Sequence, residues 1–352
     1  YSLEKMIAVT GDTEFMDHLE RIAYNALPAQ ISDDFTSRQY FQQANQVMLT
    51  RDRHNFYEED HHGHTDLCFG LLTGYPCCTC NLHQGWPKLV THLWYAAADG
   101  GLAAVMYAPS VVRTKVGGGT VITIRQVTRY PFDDRVRFNI SLPRPVEFPL
   151  HIRIPGWCDE ASLRLNGSFL RTEKGGNMAV IDRRWENEDV LELQLPMKTR
   201  LERWVENSVS VHHGPLVYVL KIGEVWSHVD STDRWGNFYE VRPTDPWNYG
   251  LLESAVENPA GGFEFLSRNS GTGVDDMNSK NSEFYPWSVE NTPVMIKTKG
   301  KILPDWKPYR HMAGPLPHSL PLKHLEDEQP DEITMIPYGC STLRITEFPV
   351  VR

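Results

Sequence analysis

The sequence predicts a multidomain α+β protein, helical at its start and β-rich thereafter. Three observations predict it. Apolar residues recur at helical spacing in the segments before about residue 98. From about Gly100, short runs of β-branched and aromatic residues alternate with Gly, Pro, Asn and Asp. The 352 residues suit two or three domains and a large core.

The first helix is expected from Tyr1 to Thr10, with Leu3, Met6, Ile7 and Thr10 on one face. No capping residue precedes it and no initiator Met opens the chain, so the start reads as truncated. Gly11-Asp12 closes this helix and caps a second, about Thr13 to Leu27, which Pro28 ends. Two short antiparallel helices fit the last hairpin of an α/α barrel. Glu20 lies off the apolar stripe and reads from the pattern alone as a solvated carboxylate. Alternation from Gln39 to Met48 predicts two short strands or an extended loop.

A charged loop from His54 to Cys68 follows, holding Asp60, His61, His62, His64 and Asp66. It is a rival metal site by composition, although a flexible loop does not by itself supply convergent ligands. Three of the six cysteines then fall within Cys77-Cys78-Thr79-Cys80. Adjacent cysteines make a strained disulfide, but two thiolates grip a soft cation such as zinc well. A helix from about Asn81 to Ala98 is expected behind them, with Asn81 capping it and its first turn lowering a thiol pKa. Three small residues packed under a helix is the competing reading. His83 reads as a packed or capping residue, and Cys68, Cys158 and Cys340 as buried structural ones.

Strands are expected at about Ala103–Tyr107, Val111–Val116, Thr120–Thr128, Arg135–Ile140, Leu150–Ile154, Ser162–Leu165, Met178–Ile181 and Val190–Leu195. Gly117-Gly118-Gly119 is a turn and Asn166-Gly167 a hairpin signal. This regular spacing argues for a sandwich. A second β region, about Leu201 to Met335, is more irregular, with a polar loop from Glu257 to Glu283.

A formal net charge of −10 argues against nucleic acid or an anionic membrane as partner. No apolar run reaches transmembrane length. The two sequons, at Asn139 and Asn166, arise readily by chance and establish no secretory route.

Cys77-Cys78-x-x-Asn81 before an amphipathic helix resembles the signature of β-L-arabinofuranosidases of glycoside hydrolase family 127. The resemblance extends to Asp17–Asn25, Arg129-Tyr130-Pro131-Phe132, Arg153-Ile154-Pro155-Gly156-Trp157-Cys158, Leu165-Asn166-Gly167, Pro337-Tyr338-Gly339-Cys340 and Arg344–Pro349. It implies the last helical hairpins of an (α/α)6 barrel over residues 1–98. Two jelly-roll-like β-sandwiches would follow, the first over 99–200 plus 341–352 and the second over 201–340. It implies a retaining exo-β-L-arabinofuranosidase acting on plant-derived glycans, with Cys77 as nucleophile and Cys77 and Cys78 as ligands of Zn2+. Glu20 and Tyr40 match residues that bind the sugar. Cys80 stands where the family often has proline, and its role stays open. The family's Glu-x-Cys pair, which completes the zinc site, and its general acid/base glutamate have no match here, and no Glu-x-Cys occurs in the chain. The alternative is a non-catalytic β-sandwich fragment, carbohydrate-binding or scaffolding, with a structural zinc/thiol site. Carbohydrate is the expected partner, with room for a homodimer and a periplasmic or secreted location favoured.

Overall fold

A computed structural model describes residues 1–54, 62–268, 285–319, 325 and 328–352. The chain is mixed α+β, mostly sheet with few helices, and divides into two compact units. The first takes in Tyr1–Ala23 and Gly85–Met197, the second Tyr24–Gln84, Lys198–Ser270 and Glu283–Arg352.

In the first unit, helices α1 (Ser2–Thr10) and α2 (Thr13–Arg21) meet at the predicted punctuation. Gly11 adopts the left-handed conformation that ends α1, and the Asp12 side chain accepts from the backbone N–H of Glu14. Two sheets follow. One runs in the order Asn177–Trp185, Val146–Ile154, Leu102–Ala104, Trp94–Ala96. The other runs Ser110–Val116, Thr120–Thr128, Arg135–Ser141, Val190–Gln194, Glu160–Leu165, Ser168–Lys174. Alternate residues of Thr120–Thr128 are buried, as a strand with one face on a core requires. The two sheets touch through Trp94, whose ring meets Phe138 edge-on. Asn166 and Gly167 both take positive φ at the tight hairpin the sequence signals.

The tie between α2 and these sheets is electrostatic. Arg153 is fully buried, and burial alone would depress its pKa; Glu20 beside it reverses that and holds it charged. Its guanidinium donates to both oxygens of Glu20, at 2.9 and 3.0 Å, and to Asp17 at 2.5 Å. Glu20 also accepts from Trp157 Nε1 at 3.0 Å and from the Tyr130 hydroxyl, while Asp17 accepts from the Gly156 backbone N–H. The sequence pattern suggested a solvated Glu20; it is instead 1% exposed.

The second unit holds a sheet ordered Thr199–Arg203, Val209–His213, Leu216–Leu220, Asp331–Pro337, Val294–Ile302, Tyr249–Leu252, Val350–Val351, with Glu264–Ser267 added at Val294–Ile302. A three-stranded sheet joins Phe69–Gly70, Phe238–Pro243 and Glu224–Val229.

Residues 24–84 fall with the second β region rather than with α1 and α2. Their extended stretch is fixed by backbone bridges from Gln46 to Arg344 and from Leu49 to Val241. Residues 341–352 also fall in the second unit, since Val350–Val351 pairs in parallel with Tyr249–Leu252. The single helix expected over 81–98 is two helices, α3 (Cys77–Leu82) and α4 (Gly85–Thr91), followed by a strand. Pro87 is the physical reason. It has no N–H for the preceding turn, so it is accepted in the first turn of α4 but not inside a continuous helix. Asp60, His61 and most of the polar loop after Arg268 lie outside the described residues.

Breaking the buried network should unfold this unit more readily. Glu20→Ala leaves the Arg153 charge half-paired and should cost about 3–5 kcal/mol in urea denaturation. Adding Arg153→Met to that variant should recover part of the loss. Additive losses would mean that the two side chains act independently.

Candidate active site

The cysteine stretch is positioned by one side chain that the sequence reading passed over. Arg38 is 2% exposed and its guanidinium ties together the loop before α3. Nη1 donates to the Thr73 carbonyl at 2.7 Å, Nη2 to the Tyr75 carbonyl at 2.9 Å and the Leu71 carbonyl at 3.3 Å. Nε donates to the Thr79 hydroxyl at 2.9 Å, and that hydroxyl donates to the Leu71 carbonyl. One cation thus fixes residues 71–75 and the first turn of α3 together. A lone Arg in a polar, aromatic segment gives no periodic signal, which is why it escaped notice.

Among the described residues Arg38 makes no ion pair; its hydrogen-bond partners are neutral oxygens. Burial depresses its pKa, and the Cys78 and Cys77 thiols work the other way. The Cys78 thiol is pushed up by burial first and by Cys77 next, with Arg38 opposing both. The expected lowering by the helix end is therefore not what governs Cys78. Cys77 and Cys80 are exposed and Cys78 is intermediate, whereas Cys68, Cys158 and Cys340 are buried. Asn81 does not cap a following helix; its side-chain amide donates to the Cys77 carbonyl at 2.8 Å from inside α3. His83 is exposed at the C-terminal end of α3.

Tyr40 stands beside this stretch in an aromatic group. Its ring lies 4.4 Å from Phe41, 5.2 Å from His62 and 5.4 Å from Tyr75. Gly74 passes directly under it with a φ of 59°, and a Cβ there would sit 2.4 Å from the Tyr40 ring. His62 pairs with Asp66. No group of three or more His, Cys, Asp or Glu side chains converges on a metal-sized point among the described residues. The adjacent thiols of Cys77 and Cys78 fit zinc by donor type and supply two of the four positions zinc takes. Glu20 has both oxygens engaged in the first unit's core, so the structure gives it a structural task.

A separate cavity of about 420 Å³ lies in the second unit, lined by Asp33, Glu224, Trp226, Trp287, Glu290 and Cys340 among others. Burial raises the Glu224 carboxyl despite bonds from Trp226 Nε1 and the Leu343 N–H. Asp33 is pushed up to about 6, by burial first and then by Glu290, Glu224 and Asp34. The folded chain holds this proton more tightly than the unfolded one, whose carboxyl titrates at 3.8. Its stabilising contribution is therefore present below about pH 4 and lost as pH rises through about 6. Asp33→Asn should flatten the stability curve over that interval, measured by urea unfolding at stepped pH. An unchanged slope would place the titration elsewhere.

Residues 101–197 match the family model described as beta-L-arabinofuranosidase, GH127 middle domain. A comparison with curated proteins finds no match. Among solved structures, a glycoside hydrolase aligns at 19% identity and a TM-score of 0.65, covering 99% of this chain and 50% of that one. A GH127 beta-L-arabinofuranosidase from Geobacillus stearothermophilus T6 aligns at 18% identity and 0.65, covering 99% and 48%. A GH127 beta-arabinofuranosidase aligns at 17% and 0.65, covering 99% and 47%. The chain spans about half the length of each. It has the fold of that half, and the strands from Leu102 to Gln194 resemble the middle domain of glycoside hydrolase family 127.

Proposed function

We propose that this chain is part of a retaining exo-β-L-arabinofuranosidase acting on plant-derived glycans, with Cys77 as the nucleophile. The observation that carries the reading is the exposed Cys77 thiol in the first turn of α3, beside Cys78, on a loop held by Arg38. The match of residues 101–197 to the family's middle domain supports it. The reading includes an (α/α)6 catalytic barrel to which helices of this chain contribute.

Retention needs a nucleophile that attacks the anomeric carbon and then leaves. The Cys77 sulfur would displace the leaving group with inversion, giving a covalent thioglycoside. Water attacking the same carbon would restore the β configuration and free the thiolate. Cys77 and Cys78 would together hold Zn2+, which when bound keeps the sulfurs ionised and eases departure of the thiolate. Arg38 adds fixed positive charge near both thiols. Tyr40 would contact the sugar from its aromatic group, whereas Glu20 is left out because its oxygens are already bonded.

In the whole enzyme, Cys77→Ser should lower turnover by at least about 10³-fold, because a serine hydroxyl lacks the acidity and a base of its own. Cys78→Ser should release the metal, read as zinc per chain by elemental analysis. Trapping with an electrophile shaped like L-arabinofuranose should label Cys77. A label on a carboxylate, or an α product by NMR, would defeat the mechanism.

A further inference from the structure

We propose that Cys77 and Cys80 form an exchangeable dithiol, a modification site where a small disulfide oxidises the pair to an intramolecular bond. Cys77-Cys78-Thr79-Cys80 contains a Cys-x-x-Cys spacing, and all four residues lie in α3. Residues three apart in a helix are neighbours on one face, with Cβ atoms about 5–6 Å apart and Cα atoms close enough to bridge after a small adjustment. Exposure follows the same phase. Cys77 and Cys80 are exposed, while Cys78 and Thr79 between them turn inward. The Thr79 hydroxyl is engaged by Arg38 and the Leu71 carbonyl, which holds that phase in place.

The competing bonds are disfavoured. Cys77 with Cys78 would close a strained ring across one peptide. Cys78 and Cys80 point to opposite sides of the helix, two residues apart. The other thiols are out of reach of an oxidant in solution: Cys68, Cys158 and Cys340 are buried, and burial pushes the Cys340 thiol up to about 12. Arg38 bonds Thr79 and the loop before Cys77 but neither of these two side chains, so the Cys77 and Cys80 side chains are left to rotate toward each other.

The step is two thiol–disulfide exchanges. The thiolate of Cys77 attacks a sulfur of oxidised glutathione, forming a mixed disulfide and releasing one glutathione thiolate. Cys80 then attacks the Cys77 sulfur, expels the second glutathione and leaves the Cys77–Cys80 bond. The protein loses two electrons and two protons, and two molecules of reduced glutathione appear. The consequence for hydrolysis rests on the reading of Cys77 above, since a sulfur held in a disulfide neither attacks a sugar nor binds a metal. Bond formation does not rest on it.

The test treats the reduced whole protein with oxidised glutathione, quenches with acid, blocks remaining thiols and maps the bonds by mass spectrometry. A product about 2 Da lighter, linked Cys77 to Cys80 and restored by dithiothreitol, is expected. Cys80→Ser should lower its yield at least about tenfold and leave a glutathione adduct on Cys77 instead. A persistent adduct in the unaltered protein, a bond involving Cys78, or no reaction would overturn the proposal. Hydrolase activity is assayed on the reduced protein before oxidation. A protein inactive when fully reduced that still forms the bond would sink the hydrolase reading alone, and one active when reduced that fails to form it would sink the dithiol alone.

Discussion

A guanidinium cannot shed its charge at any ordinary pH, so a fold that buries one must surround it with acceptors. Among the described residues three are buried, Arg38, Arg153 and Arg344, each at 2% exposure or less. Arg153 is met by carboxylates, and the pairing binds a helix to a sheet. Arg38 and Arg344 are met by neutral groups. Arg344 donates to the Thr342 carbonyl and the Gln42 side chain, with its guanidinium carbon 4.2 Å from the centre of the Tyr338 ring. Each arrangement joins segments far apart in sequence, or a loop to the element after it, through side-chain bonds.

The difference in partners has a chemical result. A cation paired with a carboxylate presents little net charge to its surroundings. Arg38, bonded to carbonyls and a hydroxyl, keeps its positive charge uncompensated by any described ion pair. That charge stands near Cys77 and Cys78, where it opposes the penalty burial imposes on the Cys78 thiolate. The same side chain therefore shapes the loop and biases the chemistry of the thiols.

What was legible in the sequence was local. Gly11-Asp12 announces a helix end and a cap because each depends on one residue's conformational freedom or one side-chain oxygen. Asn166-Gly167 announces a hairpin for the same reason. The strands from Thr120 to Ile140 follow from period-two alternation. Pro87 is equally visible, but the apolar stripe from Leu82 to Trp94 keeps a helical period straight through it. The strand from Ser168 to Lys174 was missed because most of its side chains are exposed and it shows little apolar alternation.

What was not legible depended on partners distant in sequence. Glu20 looks like any surface carboxylate until residues 110 and more positions away supply Tyr130, Arg153 and Trp157. The segment 24–84 has no helical or strand period strong enough to reveal that its bridges run to Val241 and Arg344. Cys80 is the intermediate case. Its spacing from Cys77 is visible in the sequence, yet spacing alone fits a ligand, a packed residue or a redox partner equally well. Only the helical phase, with Cys77 and Cys80 outward and Cys78 turned in, separates a pair that can bond from a neighbour that cannot.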